Sequence, residues 1–136
     1  MEKWYTAVVT AKGGRNGNIK SSDGILDMNL RKPREMDGQG GAPNPEQLFA
    51  GAWGACYLGS IGSVAKRDGV DVTEATVDVQ VSLNKNGNSY LLSAELDVHI
   101  PGISIEEAQG LAELAHRLCP YSKAMRNNIE VRVTAI

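Results

Sequence analysis

The sequence has little cysteine and almost no net charge, and each scarcity excludes something. It carries two cysteines in 136 residues. A chain of this length can bury a core without covalent staples, so the pair is not expected to act as one. Two thiols also fall short of the four ligands of a structural zinc site. The only histidines, His99 and His116, stand at no zinc-finger spacing. A net charge of −2 gives no electrostatic reason to expect nucleic acid or an anionic membrane as partner. No apolar run approaches the roughly 20 residues that span a bilayer. The opening residues Met1-Glu2-Lys3-Trp4-Tyr5 lack the apolar centre of a secretion signal, so the expected location is the cytoplasm. What remains for the two cysteines is a place in the core or thiol chemistry.

What is present fits one globular domain over residues 1–136. Residues 3–11 alternate well enough for a strand. Residues 13–17, Gly-Gly-Arg-Asn-Gly, form a turn cluster without the spacing of a phosphate loop. Residues 18–22 and 25–31 read as two further strands, joined by a tight hairpin turn at Asp23-Gly24. Residues 33–44 form a loop of a length often used for lids or binding segments. Asn44-Pro45-Glu46-Gln47 then starts a helix: Asn44 caps, Pro45 suits the first position and Gln47 completes a capping box. That helix runs to about Lys66 and contains Gly51, Gly54, Gly59 and Gly62. Each interior glycine costs roughly 1 kcal/mol relative to alanine, tolerable where another backbone comes close, so the helix reads as central and buried. Residues 75–83 and 90–100 form a hairpin about a turn at 84–89. Ser104 and Glu107 make a second capping box. Ile105, Ala108, Leu111, Ala112, Ala115 and Leu118 share one helix face. Cys119-Pro120 breaks that helix, Pro120 opens a short one to about residue 127, and residues 130–136 close as a strand. The order ββ(β)-α-ββ-α-α-β predicts an α+β fold, mostly antiparallel sheet against the glycine-rich helix.

Leu48, Ala52, Cys56 and Ser60 are four apart and share one face of the long helix. On that ground alone Cys56 reads as a small core thiol, made inert by apolar surroundings. To act as a nucleophile it needs a cation that favours its thiolate. A thousandfold shift toward the ionised form takes roughly 4 kcal/mol, the order of energy an arginine supplies in a poorly solvated pocket. Cys119, four residues after Ala115, also faces inward. It is either a helix-breaking core cysteine or, as the N-cap before Pro120, a thiol whose ionised form nearby amides favour. Glu46 can simply complement the helix dipole, and Arg15 can be a solvated loop charge. Ten residues separate Glu46 from Cys56, about 15 Å along a straight helix. Contact between them needs a broken helix or a second chain, which makes a dimer with shared sites attractive.

Five runs carry a resemblance: Gly13-Gly14-Arg15-Asn16-Gly17; Ser21-Ser22-Asp23-Gly24; Asn44-Pro45-Glu46-Gln47-Leu48-Phe49-Ala50; Ala55-Cys56-Tyr57; and His116-Arg117-Leu118-Cys119-Pro120-Tyr121-Ser122-Lys123-Ala124. In this order they resemble the organic hydroperoxide resistance (Ohr) proteins of the OsmC/Ohr family, over essentially the whole chain. The resemblance implies an intertwined α+β homodimer with two sites at the subunit interface. It matches Cys56 to the peroxidatic cysteine and Cys119 to the resolving one. Arg15 and Glu46 match the pair that attends the reactive thiol. The resemblance implies no metal, haem or flavin. It implies an organic hydroperoxide, lipid ones included, as substrate and a lipoyl-type dithiol as reductant.

Leu48, Phe49, Trp53 and Tyr121 are candidate walls of an apolar substrate pocket, and each can equally be core packing. Trp53 and Gly54 stand where the family more often has tyrosine and a small residue, and Gly51 replaces a usual alanine. These departures bear on substrate range rather than reaction type. Two alternatives stay open: an OsmC-type peroxidase with another oxidant or reductant, and a non-enzymatic dimeric binding domain with inert thiols.

Overall fold

A computed structural model describes all residues, 1–136. The chain divides into two compact units, Met1–Leu48 and Phe49–Ile136. The elements follow the expected order, and the fold is α+β with two three-stranded sheets.

In the first unit, β1 (Val9–Lys12), β2 (Asn18–Ser21) and β3 (Asp27–Asn29) pair antiparallel in that order. β1 starts at Val9 rather than at residue 3. Its partner β2 is only four residues long, so earlier residues have no strand to pair with. The turn at Asp23-Gly24 is also longer than a two-residue hairpin. Side chains hold it open: Asp23 accepts from the Ile25 amide at 3.0 Å and the Ser21 hydroxyl from the Leu26 amide at 2.9 Å. Between β1 and β2 lies a 3-10 turn, Gly14–Asn16. Gly13 and Gly14 take left-handed φ values of 80° and 65°, and a Cβ at Gly17 would collide with the Lys12 carbonyl oxygen. The glycines are therefore required to present Arg15 from this turn. The 33–44 loop contains a further 3-10 turn, Arg34–Met36.

Helix α1 (Pro45–Asp68) begins at the reciprocal cap read from the sequence. The Gln47 amide donates to Asn44 Oδ1 at 3.0 Å, and the Asn44 amide donates to Gln47 Oε1 at 3.1 Å. In the second unit β4 (Thr76–Asn86) and β5 (Ser89–His99) form the antiparallel hairpin, and β6 (Glu130–Ala135) pairs with β5 in parallel. Parallel pairing follows from the crossover through α2 (Ile105–Leu118) and α3 (Pro120–Met125). The core joins Trp53, Tyr57, Ile61 and Val64 of α1 to Ala94, Leu96 and Val98 of β5 and to Ala108, Leu111, Ala112 and Ala115 of α2. Those α1 positions recur at three and four residues, one helical face. Burying each large side chain contributes roughly 2 kcal/mol.

α1 is not buried all round. Gly51, Ala55 and Gly59 are exposed, and a Cβ at Gly51, Gly59 or Gly62 would meet open space. Only Gly54 packs closely, where a Cβ would lie 3.3 Å from Val79 Cγ2. The other interior glycines are thus not explained by a neighbouring backbone of the same chain. The uncharged stretch from Gln47 to Ala65 also makes α1 long and apolar enough to cross a bilayer by length and composition, contrary to the sequence expectation. Its small residues disguise that run, and its bulky face lies in the core.

Candidate active site

Cys56 lies on α1, and Cys119 lies at the junction of α2 and α3. The Cys119 amide donates to the Ala115 carbonyl at 2.8 Å and closes α2, while its carbonyl accepts from the Lys123 amide at 2.9 Å and opens α3. Pro120, at the first position of α3, has no amide hydrogen to lose. The two sulfurs stand 3.6 Å apart, within hydrogen-bonding contact, and both thiols are free. Cys119 has no exposed surface, whereas Cys56 is half-buried. An external reactant therefore reaches Cys56 first.

Burial pushes the Cys56 thiol up, and the neighbouring Cys119 adds to the rise. The backbone amide of Tyr121 works the other way, favouring the Cys56 thiolate. Cys119 takes the N-cap position of α3, as one of the two sequence readings has it, and its side chain makes no capping hydrogen bond. The amide two residues past the cap, that of Tyr121, serves Cys56.

Within the first unit, Arg15 and Glu46 form a bidentate pair. Nη1 donates to Oε2 at 2.8 Å and Nη2 to Oε1 at 2.7 Å. The Glu46 side chain is 16% exposed and that of Arg15 34%. The Arg15 guanidinium, chiefly through its hydrogen bonds, holds the Glu46 carboxyl below the usual carboxylate range. A carboxyl lowered in this way adds stability that is fully present above its unfolded pKa and is lost as pH falls through the folded one. Glu46→Gln should therefore flatten the acid limb of a urea-unfolding series below roughly pH 4. The expected difference is at most about 1 kcal/mol for a pair this open to water.

The proposed pocket walls separate into different settings. Trp53 is fully buried within this chain. Its size and its place on the inward α1 face dictate this. Phe49 packs edge-on against it, centroids 5.7 Å apart at 79°. Leu48 is half-buried in the first unit, and Tyr121 is 41% exposed. Two contacts were not anticipated. The Trp53 indole N–H donates to the Ser122 hydroxyl at 3.0 Å, and the Tyr57 hydroxyl donates to the Ala112 carbonyl at 2.6 Å. Trp53 stands three residues before Cys56 and Ser122 three after Cys119, and that symmetry was the available signal. No three His, Cys, Asp or Glu side chains converge as a metal site requires.

A family model described as OsmC-like protein matches residues 38–134. The organic hydroperoxide resistance protein of Xanthomonas axonopodis pv. citri is 42% identical over 132 residues, covering 96% of this chain and 93% of that protein. The organic hydroperoxide resistance protein OhrB of Bacillus subtilis is 41% identical over 132 residues, covering 95% and 96%. The crystal structure of an organic hydroperoxide resistance protein from Legionella pneumophila matches with a TM-score of 0.92 at 38% identity, over 98% of each chain. The chain therefore belongs to the OsmC/Ohr family, among its organic hydroperoxide resistance proteins.

Proposed function

We propose that the chain is a cysteine-based thiol peroxidase that reduces organic hydroperoxides, lipid ones included, to alcohols. The observation that carries this reading is the pair of free sulfurs 3.6 Å apart, one accessible and one sealed. The names of the relatives support the substrate class. In this reading the Cys56 thiolate attacks the terminal peroxide oxygen. The O–O bond breaks, an alcohol leaves and Cys56 becomes a sulfenic acid. Cys119 condenses with it to a disulfide and water, and a lipoyl-type dithiol reopens the disulfide by exchange. The chemistry belongs to the reducing cytoplasm. Measuring organic peroxide consumption with dihydrolipoamide and with glutathione tests the reading. Turnover is expected with the dithiol, and its absence with both rejects the reading.

Cys56 needs more help than its own unit gives, since burial outweighs the Tyr121 amide there. The Arg15–Glu46 pair is the cation proposed to act on the thiolate, with Glu46 fixing the guanidinium plane. α1 is continuous from Pro45 to Asp68, so the break needed for Glu46 to approach its own Cys56 is missing. This favours a homodimer in which the sites are shared. The open small-residue face of α1 is apolar surface that such a dimer would cover. Arg15→Ala should lower the thiolate fraction of Cys56 and slow sulfenic acid formation by about tenfold or more, read from a thiol pH titration and stopped-flow rates. An unchanged titration and rate would remove Arg15 from the mechanism. Leu48, Phe49 and the open side of Tyr121 are the proposed contacts for the alkyl tail, whose burial is worth about 25 cal/mol per Å².

A further inference from the structure

Trp53 and Cys56 are three residues apart on α1, and Cys119 and Ser122 are three apart at the start of α3. Two contacts therefore lie side by side between the same elements. In one, the Trp53 indole N–H donates to Ser122 Oγ at 3.0 Å. In the other, the sulfurs of Cys56 and Cys119 stand 3.6 Å apart. Trp53, Ser122 and Cys119 have no exposed surface. A hydrogen bond shut away from water is strongly directional, and neither partner can find a substitute if it breaks.

We propose that the Trp53–Ser122 hydrogen bond is the positioning contact for the Cys56–Cys119 disulfide. It braces α3 against α1, one turn from the sulfurs, and so aims Cys119 at Cys56. It also sets the Tyr121 amide that favours the Cys56 thiolate. Trp53 and Ser122 touch no reacting atom; they act through the placement of α3. The inference rests on the reading of the cysteines as a redox pair. In the step it serves, the Cys119 sulfur attacks the sulfenic sulfur of Cys56. The S–S bond forms as the S–O bond breaks, and the hydroxyl leaves as water with the Cys119 proton. The sulfurs must close from 3.6 Å to bonding distance, about 1.5 Å of travel. Since a misplacement of about 1 Å can cost roughly a hundredfold in rate, a brace at this range controls the step.

Three variants test it. Trp53→Phe keeps a ring but removes the donor, Ser122→Ala removes the acceptor, and the double variant removes both. The double variant leaves no buried group unpaired, so its thermal stability should recover toward wild type. Reduced protein is mixed with excess oxidised dithiothreitol, and the rate at which the Cys56–Cys119 disulfide closes is followed by timed alkylation. All three variants should close the disulfide roughly tenfold more slowly than wild type, the double variant despite its recovered melting temperature. A double variant that closes as readily as wild type overturns the proposal, and so does a shift that merely follows melting temperature across the three. Because this closure uses no peroxide, wild type that closes its disulfide yet consumes no hydroperoxide would refute the peroxidase reading and leave the brace standing.

Discussion

Cys56→Ser is expected to bring hydroperoxide consumption down to the uncatalysed rate with the fold intact. In the proposed mechanism the thiolate is the nucleophile, and a serine hydroxyl is not appreciably ionised at neutral pH. No second group in the structure can take over, because Cys119 is sealed from solvent. The replacement sits at a half-buried position, so melting temperature should change little. Lost activity with an unchanged melting curve then reports chemistry rather than unfolding. A Cys56→Ser protein that still turns over cumene hydroperoxide would show that the nucleophile lies elsewhere.

Cys119→Ser should separate the two halves of the cycle. The first half needs only Cys56, so one equivalent of organic hydroperoxide should still yield one sulfenic acid per chain, trapped by dimedone. The second half needs a second sulfur, so steady-state turnover with dihydrolipoamide should stop. Without a resolving thiol the sulfenic acid persists and is open to further oxidation. Here a stability cost is expected as well. Cys119 has no exposed surface, and a hydroxyl placed there without a good acceptor costs about 1–3 kcal/mol. Normal turnover in this variant would remove Cys119 from the cycle even if Cys56 remained essential.

The helix boundaries were legible because local chemistry writes them into the chain. Asn44 with Gln47 and Ser104 with Glu107 close reciprocal caps in the structure, and Cys119-Pro120 separates α2 from α3. The β4–β5 hairpin was legible from strict alternation and its glycine turn. β1 was overextended because alternation cannot tell how long the partner strand is. The parallel pairing of β6 depends on a crossover and not on residues 130–136 themselves. The open face of α1 was not legible, since an interior glycine is compatible with a close approach but does not require one within the chain.

At the site, helical spacing placed both cysteines inward, but their 3.6 Å approach is a product of packing between α1 and the α2–α3 junction. The Tyr121 amide that favours the Cys56 thiolate is a backbone group and has no side-chain signature. Trp53 was ambiguous by nature. An aromatic residue three positions from a cysteine fits a pocket wall and core packing equally well, and its complete burial and its bond to Ser122 come from packing that spacing does not reveal.

The central claim is that Cys56 and Cys119 form a redox pair driven by organic hydroperoxide. Its most direct test adds one equivalent of cumene hydroperoxide to the reduced wild-type protein, counts free thiols by alkylation and maps the linked peptides by mass spectrometry. Both thiols of each chain should be lost, and a single cross-linked peptide should join Cys56 to Cys119. Two free thiols per chain after exposure to the peroxide would contradict it.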